Sequence, residues 1–102
     1  MTEKLETSEP ETQLSVQIRN ERGLHARAAA KFVRVAERFA AEVTVKRGDM
    51  SVSGRSIMGL MMLAAARGST LELRARGRDG EAALKALQAL IDNHFDEQQA
   101  AR

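Results

Sequence analysis

Apolar residues recur along this chain at two spacings, and the switches between them mark out seven elements. In QLSVQIR, Leu14, Val16 and Ile18 alternate with polar residues, the period of a half-buried strand. A polar turn, Asn20 to Gly23, follows. From Ala26 to Ala40 the spacing becomes helical: Ala29, Phe32, Val33, Ala36, Phe39 and Ala40 share one side, with Lys31, Arg34, Glu37 and Arg38 mostly opposite. EVTVKRGDMSVSG returns to alternation through Val43, Val45 and Val52, with Gly48-Asp49 placed for a hairpin turn. Arg47-Gly48-Asp49 is therefore read as that turn and not as an adhesion signal.

A short helix follows in SIMGLMMLAA, with Ser56 at the natural N-cap and Gly68 expected to close it. TLELRAR alternates through Leu71, Leu73 and Ala75. Gly77 to Gly80 then turns the chain, with Asp79 expected to cap a last helix that carries Ala83, Leu84, Leu87, Leu90, Ile91 and Phe95 before a polar end. Four half-apolar strands and three one-sided helices predict an α+β open-faced β-sandwich of order βαββαβα: a four-stranded antiparallel sheet, helices on one face, the other face in water.

Composition narrows this picture. With 102 residues the chain suits one domain. It has no cysteine, which excludes disulfides, thiolate zinc sites and a catalytic cysteine. No apolar run approaches the roughly 20 residues that cross a bilayer, and the N-terminus lacks the apolar core of a signal peptide, so a cytoplasmic protein without a membrane partner is expected. Residues 1–12 carry four Glu, one Lys and the only Pro, a composition expected to form a disordered acidic tail ahead of a domain at 13–102. Because the whole chain is +2 and this tail is −3, the remainder carries +5. Charge of that sign suits nucleic acid, a membrane surface or an acidic protein. Three Phe with no Tyr or Trp leave almost no stacking platform, which argues against nucleic acid.

The chemistry concentrates at His25. It falls between Gly23 and the first turn of the first predicted helix, where backbone N–H groups have no intrahelical partner. Such an end favours an anion, Arg27 can add charge-assisted bonds to it, and a histidine there can act as a nucleophile toward phosphate. Taken alone, the HxR spacing is a weak signal and more often marks a polar residue tolerated at a helix start. No metal site is expected, because His94 is the only other histidine and lies far along the last helix. No G-x-S-x-G elbow or G-x-x-x-x-G-K-[ST] loop occurs, so the chain is expected to be a carrier that docks onto enzymes and not a stand-alone enzyme. In the second helix Leu60, Leu63 and Ala64 make an inward stripe, leaving Ile57, Met58 and Met61 as an exposed patch; the alternative is a helix buried on two sides.

GLHARAAAKFV, followed some thirty residues later by SGRSIMGLMMLA, resembles the HPr family of histidine-containing phosphocarriers of the bacterial phosphotransferase system, over residues 13 to about 95. The resemblance implies a relay: Enzyme I, charged by phosphoenolpyruvate, phosphorylates Nδ1 of His25, and His25 passes the group to an EIIA-type protein. It implies that Arg27 steadies the phosphate, and that Ala26, Ala30, Ile57, Met58 and Met61 dock both partners. Ser56 matches the serine that an HPr kinase/phosphorylase modifies in some bacteria. No cofactor and a monomeric state are expected. Many family members have Pro after the arginine where this chain has Ala28, a departure that leans toward the nitrogen-related (NPr) branch over the sugar branch. The competing reading is a regulatory binding protein that uses the Ile57/Met58/Met61 patch without carrying phosphate.

Overall fold

The computed structural model describes residues 10–97. Their order is β1 (Glu11–Gln17), α1 (Ala26–Ala36), β2 (Glu42–Arg47), β3 (Met50–Ser53), α2 (Ile57–Met62), β4 (Thr70–Arg76) and α3 (Gly80–Asp92), ending in a tight turn at His94–Asp96. The strands form one antiparallel sheet in the order β1-β4-β2-β3, the open-faced architecture expected from the two periodicities.

Register explains which face is covered. Leu14 pairs with Leu73, Val16 with Leu71, Val43 with Ala75 and Val45 with Leu73, so the apolar alternations of three strands coincide on one face. That face lies under α3, which packs on β1 and β4, while α1 packs against α2 and α3. Phe32, Leu60, Leu71, Leu73, Leu87 and Ile91 are fully buried between sheet and helices. The opposite face pairs Gln13 with Arg74, Ser15 with Glu72 and Lys46 with Glu72, and stays polar. The β2–β3 connection is the expected two-residue turn, with Gly48 at φ +59°.

Several boundaries differ from the sequence reading. Strand β1 begins at Glu11, so the tail expected to end at residue 12 gives up its last two residues to the sheet, where Glu11 and Thr12 pair with Arg76 and Ala75; residues 1–9 of that expected tail lie outside the described residues. Helix α1 stops at Ala36, not Ala40. The Ala40 backbone is engaged elsewhere: its N–H donates to the Asp79 carboxylate (2.8 Å) and its carbonyl accepts from the Asp79 N–H (3.1 Å). For the same reason Asp79 does not cap α3 with its side chain; its carboxylate is committed to Ala40.

Helix α2 closes well before Gly68. Ala64 takes a positive φ of +50°, which stops the helix after Leu63 and turns the next residue inward, so Ala65 is buried and Ala64, expected to face the core, is exposed. Phe95 also lies outside the last helix, in the turn that follows it, although it does reach the core.

Candidate functional site

The site begins with a loop held from two sides. Ile18 ends the first strand's apolar series, and the chain then turns at Asn20–Gly23, closed by Gly23 N–H donating to the Asn20 carbonyl (3.2 Å). Gly23 has φ +68°, and a Cβ there would stand 2.5 Å from the Ala65 oxygen, so only glycine lets the loop lie against the segment after α2. The next residue fixes that approach, Leu24 N–H donating to the same Ala65 carbonyl (2.9 Å).

His25 is the N-cap of α1, with φ −82° and ψ −179°, and its carbonyl accepts the first helical bond from Ala29 (2.8 Å). The amides of Ala26, Arg27 and Ala28 therefore precede the helical ladder, and the His25 side chain does not cap them. Instead the imidazole Nε2 hydrogen-bonds the Glu97 carboxylate, and both side chains are largely shielded, at 16% and 17% exposure. Nδ1 has no hydrogen-bond partner among the described residues. Arg27 is exposed, two residues into the same turn, with no ion pair among the described residues.

Helix α2 stands beside this loop, packed against α1. Ser56 is its N-cap as expected, the hydroxyl accepting from the Gly59 amide at 2.9 Å. Ile57, Met58 and Met61 are exposed as expected, Met58 at 71%, and Met62 joins them. Ala26 is exposed and Ala30 half-buried on α1. The helix is thus buried on one side only, through Leu60. Helix α2, with its exposed apolar residues, thus packs beside α1, the helix that the histidine starts.

Two side chains at the histidine were not singled out from sequence. Asn20 is fully buried and donates from Nδ2 both to the Gly23 carbonyl (2.8 Å) and to Glu97 Oε2 (3.0 Å), leaving Oδ1 without a partner among the described residues. Glu97 lies 72 positions from His25, in the polar stretch after the last helix. No local pattern could have marked it. His94, placed by the sequence reading on the last helix, lies in the turn after it and is half-buried. Among the described residues no cluster of His, Asp or Glu could hold a metal, and no helix is long and apolar enough to cross a membrane.

Comparison with known proteins places this geometry. The family described as "PTS HPr component phosphorylation site" matches residues 12–93. The phosphocarrier protein HPr of Pseudomonas aeruginosa is 53% identical over 85 residues, covering 82% of this chain and 94% of the relative. The phosphocarrier protein NPr of Shewanella violacea is 46% identical over 82 residues, covering 80% and 90%. Among solved structures, HPr-C-His from Thermoanaerobacter tengcongensis superposes with a TM-score of 0.82 at 40% identity, covering 86% of this chain and 99% of that one. The chain belongs to the HPr family and is a phosphocarrier of the phosphotransferase system.

Proposed function

We propose that His25 is the phosphoryl acceptor, taking the group on Nδ1 from Enzyme I charged by phosphoenolpyruvate and passing it to EIIA-type proteins of a sugar or nitrogen-related phosphotransferase system. The observation that carries this reading is the position of His25 at the N-cap of α1, with Nε2 occupied by Glu97 and three amides ahead of the helical ladder that the His25 side chain does not cap. A phosphate on Nδ1 at a helix start meets the positive end of the helix dipole, a contribution of about 0.3–2 kcal/mol. Arg27, exposed two residues further on, can fork onto two phosphate oxygens. The carrier works as a monomer in the cytoplasm.

Both partners dock on one surface formed by Ala26, Ala30, Ile57, Met58 and Met61. Exposed methionines adapt to partners of different shape, which a relay between two proteins requires. Ser56 sits on the rim of this surface, and its phosphorylation by an HPr kinase/phosphorylase would regulate the relay. A phosphate of about −2 charge at the α2 N-cap need not melt the helix, but places charge beside an apolar contact and repels acidic partners.

The test is to incubate the protein with phosphoenolpyruvate and Enzyme I from the same organism and weigh the intact chain beside a His25→Ala control. One acid-labile phosphate, absent from the control, is expected. No gain with an active Enzyme I would leave the patch as the binding surface of a regulatory protein.

A further inference from the structure

The histidine is held by a carboxylate that arrives from the far end of the chain, and the way it arrives is specific. After α3, His94, Phe95 and Asp96 take φ values of +59°, +54° and +62°, three consecutive non-glycine residues in the left-handed region. Such conformations cost roughly 1–2 kcal/mol each and persist only where their surroundings impose them. Here Phe95 is buried in the core, Lys31 Nζ donates to its carbonyl (2.9 Å), and Asn93 Nδ2 donates to Asp96 Oδ1 (2.7 Å). The turn redirects the chain from the end of α3 to the start of α1, and its product is the Glu97 carboxylate on His25.

The hydrogen-bond directions follow from what each partner can do. The Gly23 carbonyl only accepts, so the Asn20 atom facing it is the amide nitrogen, and that same nitrogen faces Glu97 Oε2 as a donor. Oε2 is thereby an acceptor toward Asn20, and its second partner, His25 Nε2, is the donor. In the neutral imidazole a proton on Nε2 leaves the lone pair on Nδ1.

We propose that Glu97 is a positioning residue, oriented by Asn20, that holds His25 as the Nε2–H tautomer with the Nδ1 lone pair directed at the incoming phosphoryl group. This rests on the reading of His25 as the acceptor. In the transfer, the Nδ1 lone pair forms the N–P bond as the bond from phosphorus to the donor protein breaks, and the donor atom keeps that electron pair. No proton is lost from Nδ1, the Nε2 proton stays on the ring, and the carboxylate offsets the positive charge that the ring acquires. The arrangement has the logic of a carboxylate holding a catalytic imidazole in one tautomer, where the wrong tautomer is severely costly.

The test is 15N NMR of the imidazole, at a pH where the ring is neutral, on the full chain and on Glu97→Ala and Glu97→Gln, paired with the rate of phosphate uptake from Enzyme I. The full chain is expected to show a protonated Nε2 and an unprotonated Nδ1. Glu97→Ala loses the preference and slows uptake about 10-fold, at the low end of what removing an orienting partner costs. Glu97→Gln keeps the tautomer, because the Asn20 donor holds the amide oxygen toward the ring. An unchanged tautomer ratio in Glu97→Ala, or a protonated Nδ1 in the full chain, would overturn the proposal. A full chain with the Nε2–H bias that takes up no phosphate would support the positioning role and overturn the acceptor reading instead.

Discussion

Gly23 and Ala65 approach so closely that a single added carbon would stand 2.5 Å from the Ala65 oxygen, and this contact joins the loop before α1 to the loop after α2. The histidine is two residues beyond it and the apolar patch a few residues before it. One backbone contact therefore sets the spacing between the loop that leads to His25 and the helix that carries the exposed apolar residues.

Gly23→Ala tests that contact. Alanine at φ +68° costs roughly 1 kcal/mol in backbone strain, and relief of the overlap must move one of the two loops. A loss of about 2–3 kcal/mol in urea unfolding is expected, together with slower phosphate uptake. Gly68→Ala is the control: it shares a positive φ of +92° but a Cβ there meets nothing within 4 Å, so it should cost no more than the strain alone.

Asn20 carries a second prediction, with a sign in pH. Asn20→Asp replaces the donor to Gly23 O and Glu97 by a carboxylate facing two acceptors, in a site with no exposure. The loss should be about 2–4 kcal/mol at pH 7. The introduced carboxyl is disfavoured in its charged form, so its folded pKa lies above the ordinary unfolded value of about 3.9. A group raised in this way contributes stability that is present below the unfolded pKa and lost as pH rises through the folded pKa. The penalty relative to the parent chain should therefore shrink between pH 7 and pH 4, as protonation restores one donor. Urea unfolding at both pH values measures it; a penalty that grows on acidification would contradict the assigned bonds.

What the sequence made legible divides along lines of range. The four strands, the turn at Gly48-Asp49, the Ser56 cap and the exposed Met58 follow from periodicity and local residue chemistry, and all are present. His25 and Arg27 lie two positions apart in sequence, so one helix start places both. Helix ends were less readable, because the Ala40 backbone chose the distant Asp79 over a further helical turn, a competition that no local spacing encodes. Ala64 carries no sequence mark of a left-handed φ. The Glu97 carboxylate was invisible for a stronger reason: its approach depends on three left-handed residues imposed by Phe95 burial and Lys31, contacts that exist only in the folded chain.

Ser56 separates capping from regulation. Ser56→Ala removes the acceptor for the Gly59 amide and should cost about 1 kcal/mol, with little effect on docking. Ser56→Asp keeps an N-cap acceptor, so stability should stay within about 0.5 kcal/mol of the parent, while its charge at the rim of the patch weakens Enzyme I binding. The opposite pattern, a stable Ala variant with weak docking and an unstable Asp variant with normal docking, would remove the physical basis for Ser56 as a switch.

Met58 is the most direct probe of the proposed docking surface, because at 71% exposure it contributes little to the fold. Met58→Glu should leave the unfolding midpoint nearly unchanged, within about 0.5 kcal/mol, since surface changes away from caps and ion pairs are small. At an apolar contact with a partner the same carboxylate must be desolvated without a counter-charge, a cost of roughly 2 kcal/mol or more at a central position. Converted to binding, this raises the apparent KM for Enzyme I by about 30-fold while His25, the proposed acceptor, is untouched, so uptake at saturating Enzyme I should recover. A variant that matches the parent at low Enzyme I concentration would show that the exposed face of α2 is not where the donor docks. A variant slow at every concentration would place Met58 closer to the transfer itself than to the docking contact.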